Sequence, residues 1–271
     1  MTFRPVSQHH ECATCIRHRA MVRALSGHSN ARAAQQRLFY DHLRQQHLDR
    51  ICYWTMRAES RDRSMPSVTV VTDGMDQAKF ALPRHEAMRS KEFAQFMRPR
   101  LHISCAIAHG WLIVFQISPP DLPKDGNASI ELISHVLSML KDRGAHLPSL
   151  RVTVQSDNTC RECKNSLMVR FLASLTSSRT VGSCALSCLR AGHSHEDIDQ
   201  IFGQLARWIL RWKVLETPCD VGRCIQAFLD QAKLFEKERF VVLVDRTRDW
   251  TLGSFGFLFV DSCLSVFGPW G

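Results

Sequence analysis

The sequence predicts an α/β protein, a mixed sheet flanked by helices, behind a helical N-terminal segment that carries cysteine and histidine. Two observations lead to this. From residue 67 onward, short runs rich in β-branched residues alternate with apolar stripes at helical spacing, the pattern of a sheet with helices on its faces. Before residue 67 the chain is Arg-, Gln- and His-rich, with no Pro or Gly between Ser29 and Met65. A helical segment is therefore expected over 1–66 and an α/β domain over 67–271, joined at Ser64-Met65-Pro66-Ser67.

The elements follow in order. Leu38, Tyr40, His42, Leu43 and Leu48, set among Arg37, Arg44, Gln45 and Gln46, fit one or two helices. Val68 to Asp73 reads as a strand, and Glu86 to Arg98 as a basic loop or short helix. Leu101 to Ala108 and Trp111 to Ser118 form an antiparallel pair around His109-Gly110. Ile130, Ile133, Val136, Leu137 and Leu140 make one helical stripe, stopped by Gly144. Leu150 to Ser156 is the next strand, and Leu167, Met168, Phe171, Leu172 and Leu175 mark a helix. Val181 to Leu189 is a Cys-rich strand, followed by a helix through Ile198, Ile201, Phe202, Leu205, Ile209 and Trp212. Beyond Glu216, a helix around Gly222–Glu238 and strands at Phe240–Val244 and Phe255–Val260 are expected.

Composition narrows the partners. The chain has 271 residues, 45% of them hydrophobic, enough for one substantial core. A formal charge of +9, much of it arginine, suits a polyanion, although a solvated basic surface gives the same number. No apolar run is long enough to span a bilayer, and the first residues lack a secretory apolar core. With 11 cysteines and no such leader, a reducing, intracellular compartment is expected rather than a disulfide framework. P-loop, dinucleotide-fingerprint and nucleophile-elbow motifs are missing from the sequence.

Three acids stand out by position. Asp73 ends the first strand, Asp157 ends the strand from Leu150, and Asp199 lies one turn into a helix. Two strand-end carboxylates and one helical carboxylate can converge from rigid elements on a pair of hard divalent cations. Asp76 could replace Asp73, and Asp157-Asn158 also fits an Asx-turn. Ser194 and Asp197 fit a helix-capping pair, and Gly203 and Ala206 give the Asp199 face small residues for a close approach.

Three segments contain these acids: Asp73-Gly-Met-Asp-Gln-Ala-Lys-Phe-Ala-Leu-Pro-Arg84, Gln155-Ser-Asp-Asn-Thr-Cys-Arg-Glu-Cys-Lys-Asn165 and Gly192-His-Ser-His-Glu-Asp-Ile-Asp-Gln-Ile-Phe202. In this order they resemble an uncharacterised eukaryotic transposase-like domain family of presumed ribonuclease-H type. The resemblance runs from about Cys12 to at least Trp212; Cys163 stands where the family usually has Asn, and Ser194 where it has Thr. It implies a ribonuclease-H-like sheet and Mg²⁺- or Mn²⁺-dependent cleavage or strand transfer of DNA in the nucleus. Asp73, Asp157 and Asp199 would then be the metal ligands, with Asn158, Glu162, Asn165, His193 and Glu196 around them. The competing expectation is a catalytically silent domain of the same fold that binds nucleic acid or a protein.

Cys12-x-x-Cys15 has the spacing of half a zinc site, with His9, His10 and His18 as candidates to complete it; unligated thiols are the alternative. Cys160-x-x-Cys163 and Cys184-x-x-x-Cys188 fit less well, because the latter lies along a strand where cysteine packs as a small hydrophobe. Trp208 and Trp212 share the spacing of a buried helix face, which assigns them to the core rather than to base stacking.

Overall fold

The computed structural model describes residues 12–76, 80–93, 97–157, 159–188, 197–250 and 265–267. Two helices come first, α1 (Ala13–Ala24) and α2 (Ser29–Arg61). At 1.5 Å per residue, α2 is about 50 Å long. Then follow β1 (Ser67–Gly74), β2 (His102–Ala108), β3 (Leu112–Ser118), α3 (Gly126–Asp142), β4 (Arg151–Ser156), α4 (Ser166–Ser177) and β5 (Ser183–Cys188). The chain continues through α5 (Asp197–Ile209), α6 (Pro218–Gln231), β6 (Glu238–Leu243) and β7 (Ser265–Phe267).

The strands form one mixed sheet in the order β5-β4-β1-β2-β3-β6-β7. β1, β2 and β3 are antiparallel neighbours. β4 runs parallel to β1, β5 parallel to β4, and β6 parallel to β3, while β7 closes antiparallel on β6. Side-chain alternation along β1 divides the core in two. Val68 and Val70 face α3 and α4 together with Ala106, Val114, Val152 and Val154. Val71 faces the other way, with Ile103, Ile107 and Phe115, onto α5, α6 and Tyr53 of α2. Each fully buried aliphatic side chain contributes about 1.5–3 kcal/mol.

Local chemistry fixes the boundaries. The β2–β3 turn holds Gly110 at φ +77, and a Cβ there would come within 2.7 Å of the Arg61 Cα, so glycine serves both the turn and the approach of α2. α3 starts at Asp125, whose carboxylate accepts from the N–H groups of Asn127 (2.9 Å) and Ala128 (3.2 Å). It stops at Gly144, at φ +81, with Ala145 N–H returning to the Leu140 carbonyl at 3.0 Å. Glu131, buried on α3, receives Arg248 and the Trp250 indole N–H (3.1 Å). Burial alone would raise this carboxyl, but the hydrogen bonds of His135 and Arg248 hold it down at about 2. That anchor ties the stretch after β6 to α3.

Expected bounds shift at the last long helix. The last long helix begins at Pro218 and ends at Gln231, because Thr217 and Asp220 form a capping box around a proline at the first helical position. The strand expected at Phe255–Val260 lies outside the described residues, and β7 is an additional partner for β6. The N-terminal helices pack on the domain that follows: Ser60, fully buried, donates to the His109 carbonyl (2.7 Å) and accepts from Thr69 N–H (3.0 Å). Among the described residues no helix is long and apolar enough to cross a membrane.

Candidate functional site

β1 and β4 run side by side in the same direction, with Val71 opposite Gln155. Continued two residues further, that register brings Asp73 level with Asp157. Neighbouring strands lie about 4.8 Å apart, and period-two alternation turns both side chains to one face. It is the face that carries Val71 and is covered by α5. Asp199, exposed in the first turn of α5, approaches from above.

The electrostatics report the same convergence. Burial, together with the charges of Asp199 and Asp157, pushes the Asp73 carboxyl up to about 6. The Gly74 N–H, donating at 2.7 Å, and the Lys124 ammonium pull the other way. Asp73 and Asp157 line a common cavity of about 20 Å³ with Ser104, Lys124 and Glu162. That is room for one water or one cation. Asp199 does not line this cavity; it acts on Asp73 from the α5 side. Lys124 pairs with Glu162 at 3.1 Å and lies across Gly74, where any Cβ would collide with it.

The other expected residues divide. Asp157 also makes the Asx-turn, accepting from the N–H of Thr159 (3.0 Å) and from its hydroxyl. Asn165 caps α4. Its Oδ1 accepts from Met168 N–H (2.9 Å), starting α4, while its Nδ2 donates to the Cys160 and Arg161 carbonyls. Asp76 is exposed just past the end of β1. Gly203 faces open space, whereas Ala206, on the same face of α5, packs against the apolar core. Asp197 binds Arg57 of α2, whose Nη1 donates to both carboxylate oxygens at 2.8 Å. The Tyr53 hydroxyl donates to Asp197 (3.4 Å) and lies 3.1 Å from the buried His109 ring, which in turn meets Glu236. His9, His10, Asn158, His193, Ser194 and Glu196 lie outside the described residues.

At the N-terminus, Cys12, Cys15 and His42 bring their ligand atoms within 4.8 Å of one another. His18, expected there, is not in this group. Its Nδ1 meets the Gln35 amide at 2.6 Å, and its ring stacks on Phe39 at 5.6 Å. Trp208 and Trp212 both pack, partly buried, against the apolar core, but α5 ends at Ile209, so Trp212 reaches the core from beyond the helix rather than from the expected helix face.

Sequence reading missed Lys124, His42 and the Arg57–Asp197 pair. Lys124 is one more basic residue in a proline-rich connection. His42 lies on a polar helix, and no short spacing links it to the cysteines.

These elements define an α/β domain with carboxylates gathered at the ends of two parallel strands. The chain belongs to a family described as a domain of unknown function, DUF7869, whose model matches residues 91–245 and so spans Asp157 and Asp199. No curated protein and no solved structure matches it.

Proposed function

We propose that the chain is a transposon-derived, ribonuclease-H-like protein that cleaves or joins DNA with Mg²⁺ or Mn²⁺ held by Asp73, Asp157 and Asp199. The observation that carries this reading is the β1–β4 register, which sets Asp73 beside Asp157, with Asp199 close enough to raise the Asp73 carboxyl. The mixed sheet, an antiparallel trio extended by parallel strands, is in keeping with the resemblance. The donor set suits a hard divalent cation. It consists of carboxylate oxygens only, and the Asp73 carboxyl is desolvated beside two further acids that Lys124 only partly offsets.

Such a cation, when bound, supplies Lewis-acid polarisation of the phosphate and activation of the attacking oxygen. The chain's own residues provide the rest. Asp73 and Asp157 offer their oxygens from strand ends that the sheet keeps rigid. Lys124 offsets part of their charge and steadies Glu162 at the cavity wall. Arg84, Arg98 and Arg207 line a second cavity of about 360 Å³ beside α5. Guanidinium groups grip phosphate oxygens through a planar fork. Arg207 is about two turns, or about 12 Å, along α5 from Asp199, a span that a nucleic-acid backbone bridges.

The Asx-turn favours a second reading, a catalytically silent nucleic-acid binder, because Thr159 already occupies both oxygens of Asp157. A divalent-metal cleavage and end-joining assay separates the two. Asp157→Asn keeps shape and removes charge, so it should abolish Mg²⁺- or Mn²⁺-dependent cleavage while folding and DNA binding persist. Wild type that cuts and joins nothing would favour the silent binder. A fully active mutant would overturn the ligand assignment.

A further inference from the structure

The contact between α1 and α2 is built from unsuitable material for two packed helices. The buried residue of α1 is Cys15, and those of α2 are Gln35, Gln46, Tyr53 and Ser60. Among the described residues, neither apolar core takes a residue from α1, and only Tyr53 enters from α2. Full burial of apolar side chains therefore contributes little to holding this hairpin closed. Small units lacking an apolar core are stabilised by a disulfide or a metal, and neither Cys12 nor Cys15 is in a disulfide.

The geometry at the open end of the hairpin supplies the missing element. Cys12 caps α1 and Cys15 sits in its first turn, so the three-residue spacing turns both sulfurs to one side. α2 returns antiparallel, bringing His42 to Cys12, Gln46 to Cys15 and Gln35 to His18. The Cys12 Sγ and the His42 Nε2 stand 3.5 Å apart. A tetrahedral zinc with bonds of about 2.3 Å to sulfur and about 2.1 Å to nitrogen has an S···N edge of about 3.6 Å. Gln46, one turn after His42 and buried, presses its amide against the His42 ring and reaches Cys15 Sγ at 3.9 Å. Which amide atom points inward is a choice made from the hydrogen-bond network; turned over, Oε1 faces the sulfurs.

We propose that Cys12, Cys15 and His42 bind a structural zinc ion, with the Gln46 amide oxygen in the fourth position, and that this ion clamps α1 onto α2. The site is independent of the acidic cluster. Two soft thiolates and an imidazole select zinc over the hard cations that carboxylates take. Binding would release the two thiol protons, since the thiolate is the ligand form.

The test is zinc content per chain, by elemental analysis of the purified full chain after exhaustive dialysis. Wild type should hold about one zinc. Cys12→Ser and His42→Ala should fall to near zero, while His18→Ala and Asp157→Asn keep a full complement, so failure here is distinct from failure of the acidic site. His42→Cys should retain zinc through three thiolates, and Gln46→His should release it to a chelator more slowly than wild type. Cobalt(II) in the wild-type site should give the thiolate charge-transfer and visible bands of a tetrahedral Cys₂ site, a readout that needs no variant to fold. Zinc-free wild type without those cobalt bands overturns the proposal. Loss of zinc in His18→Ala but not in His42→Ala overturns the ligand set.

Discussion

Asp73 carries its carboxyl at about 6 because burial and the charges of Asp199 and Asp157 outweigh the Gly74 N–H and Lys124. The folded value stands above the ordinary 3.8, so the metal-free fold binds this proton more tightly than the unfolded chain does. The stability it contributes is fully present below about pH 4 and is lost as pH rises through about 6. Asp73→Asn cannot ionise. In chelator-treated protein it should therefore gain on wild type across that window, by roughly 1–3 kcal/mol in denaturant unfolding. Saturating Mg²⁺ should erase the gain by returning a cation to the wild-type carboxylate. A difference that stays flat with pH would mean that Asp73 is solvated and ordinary. The acids themselves were legible in the sequence, since strand ends and one helical turn are local features. Their convergence was an expectation from strand ends and the resemblance, but the register behind it was not legible, because it depends on β1 lying beside β4, a pairing between segments more than 80 residues apart.

α5 shows how an element is seated by two kinds of contact. Ile198, Ile201, Phe202, Leu205 and Ile209 pack on the sheet, and Arg57 takes hold of Asp197 at the helix start. The apolar stripe was readable from its spacing. The clamp was not, because Asp197 fits a cap locally and its partner comes from α2. Arg57→Ala leaves that half-buried carboxylate without its cation and should lower stability by about 1–3 kcal/mol. A double-mutant cycle with Asp197→Asn should give a coupling of about 1 kcal/mol or more. Coupling near zero would leave the apolar stripe as the sole anchor. The same distinction covers the other elements. Strands and helices with a clear period stand where the sequence puts them. By contrast, β7 and the start of α6 depend on pairing with β6 and on the Thr217–Asp220 cap.

For the whole molecule, the sheet keeps two separate cores and brings its acidic cluster to one end. Under the proposed function, the net charge of +9 favours association with a polyanion. DNA affinity should therefore fall linearly with the logarithm of salt concentration, by about 0.9 in the exponent per phosphate neutralised. Arg207→Ala, at the arginine-lined cavity, should reduce that slope by about 1. Binding that ignores salt would point to a protein partner. One consequence concerns chain length. Contacts beside α5 locate it, from the sheet below and from α2 at its start, so the connection over 189–196 need not serve as its leash. Doubling such a connection adds only about 0.6 kcal/mol of closure entropy. Asp199 is held in place by contacts that α5 makes with the sheet and with Arg57, not by the chain that leads into it. His193 and Glu196 stand in that stretch of the sequence.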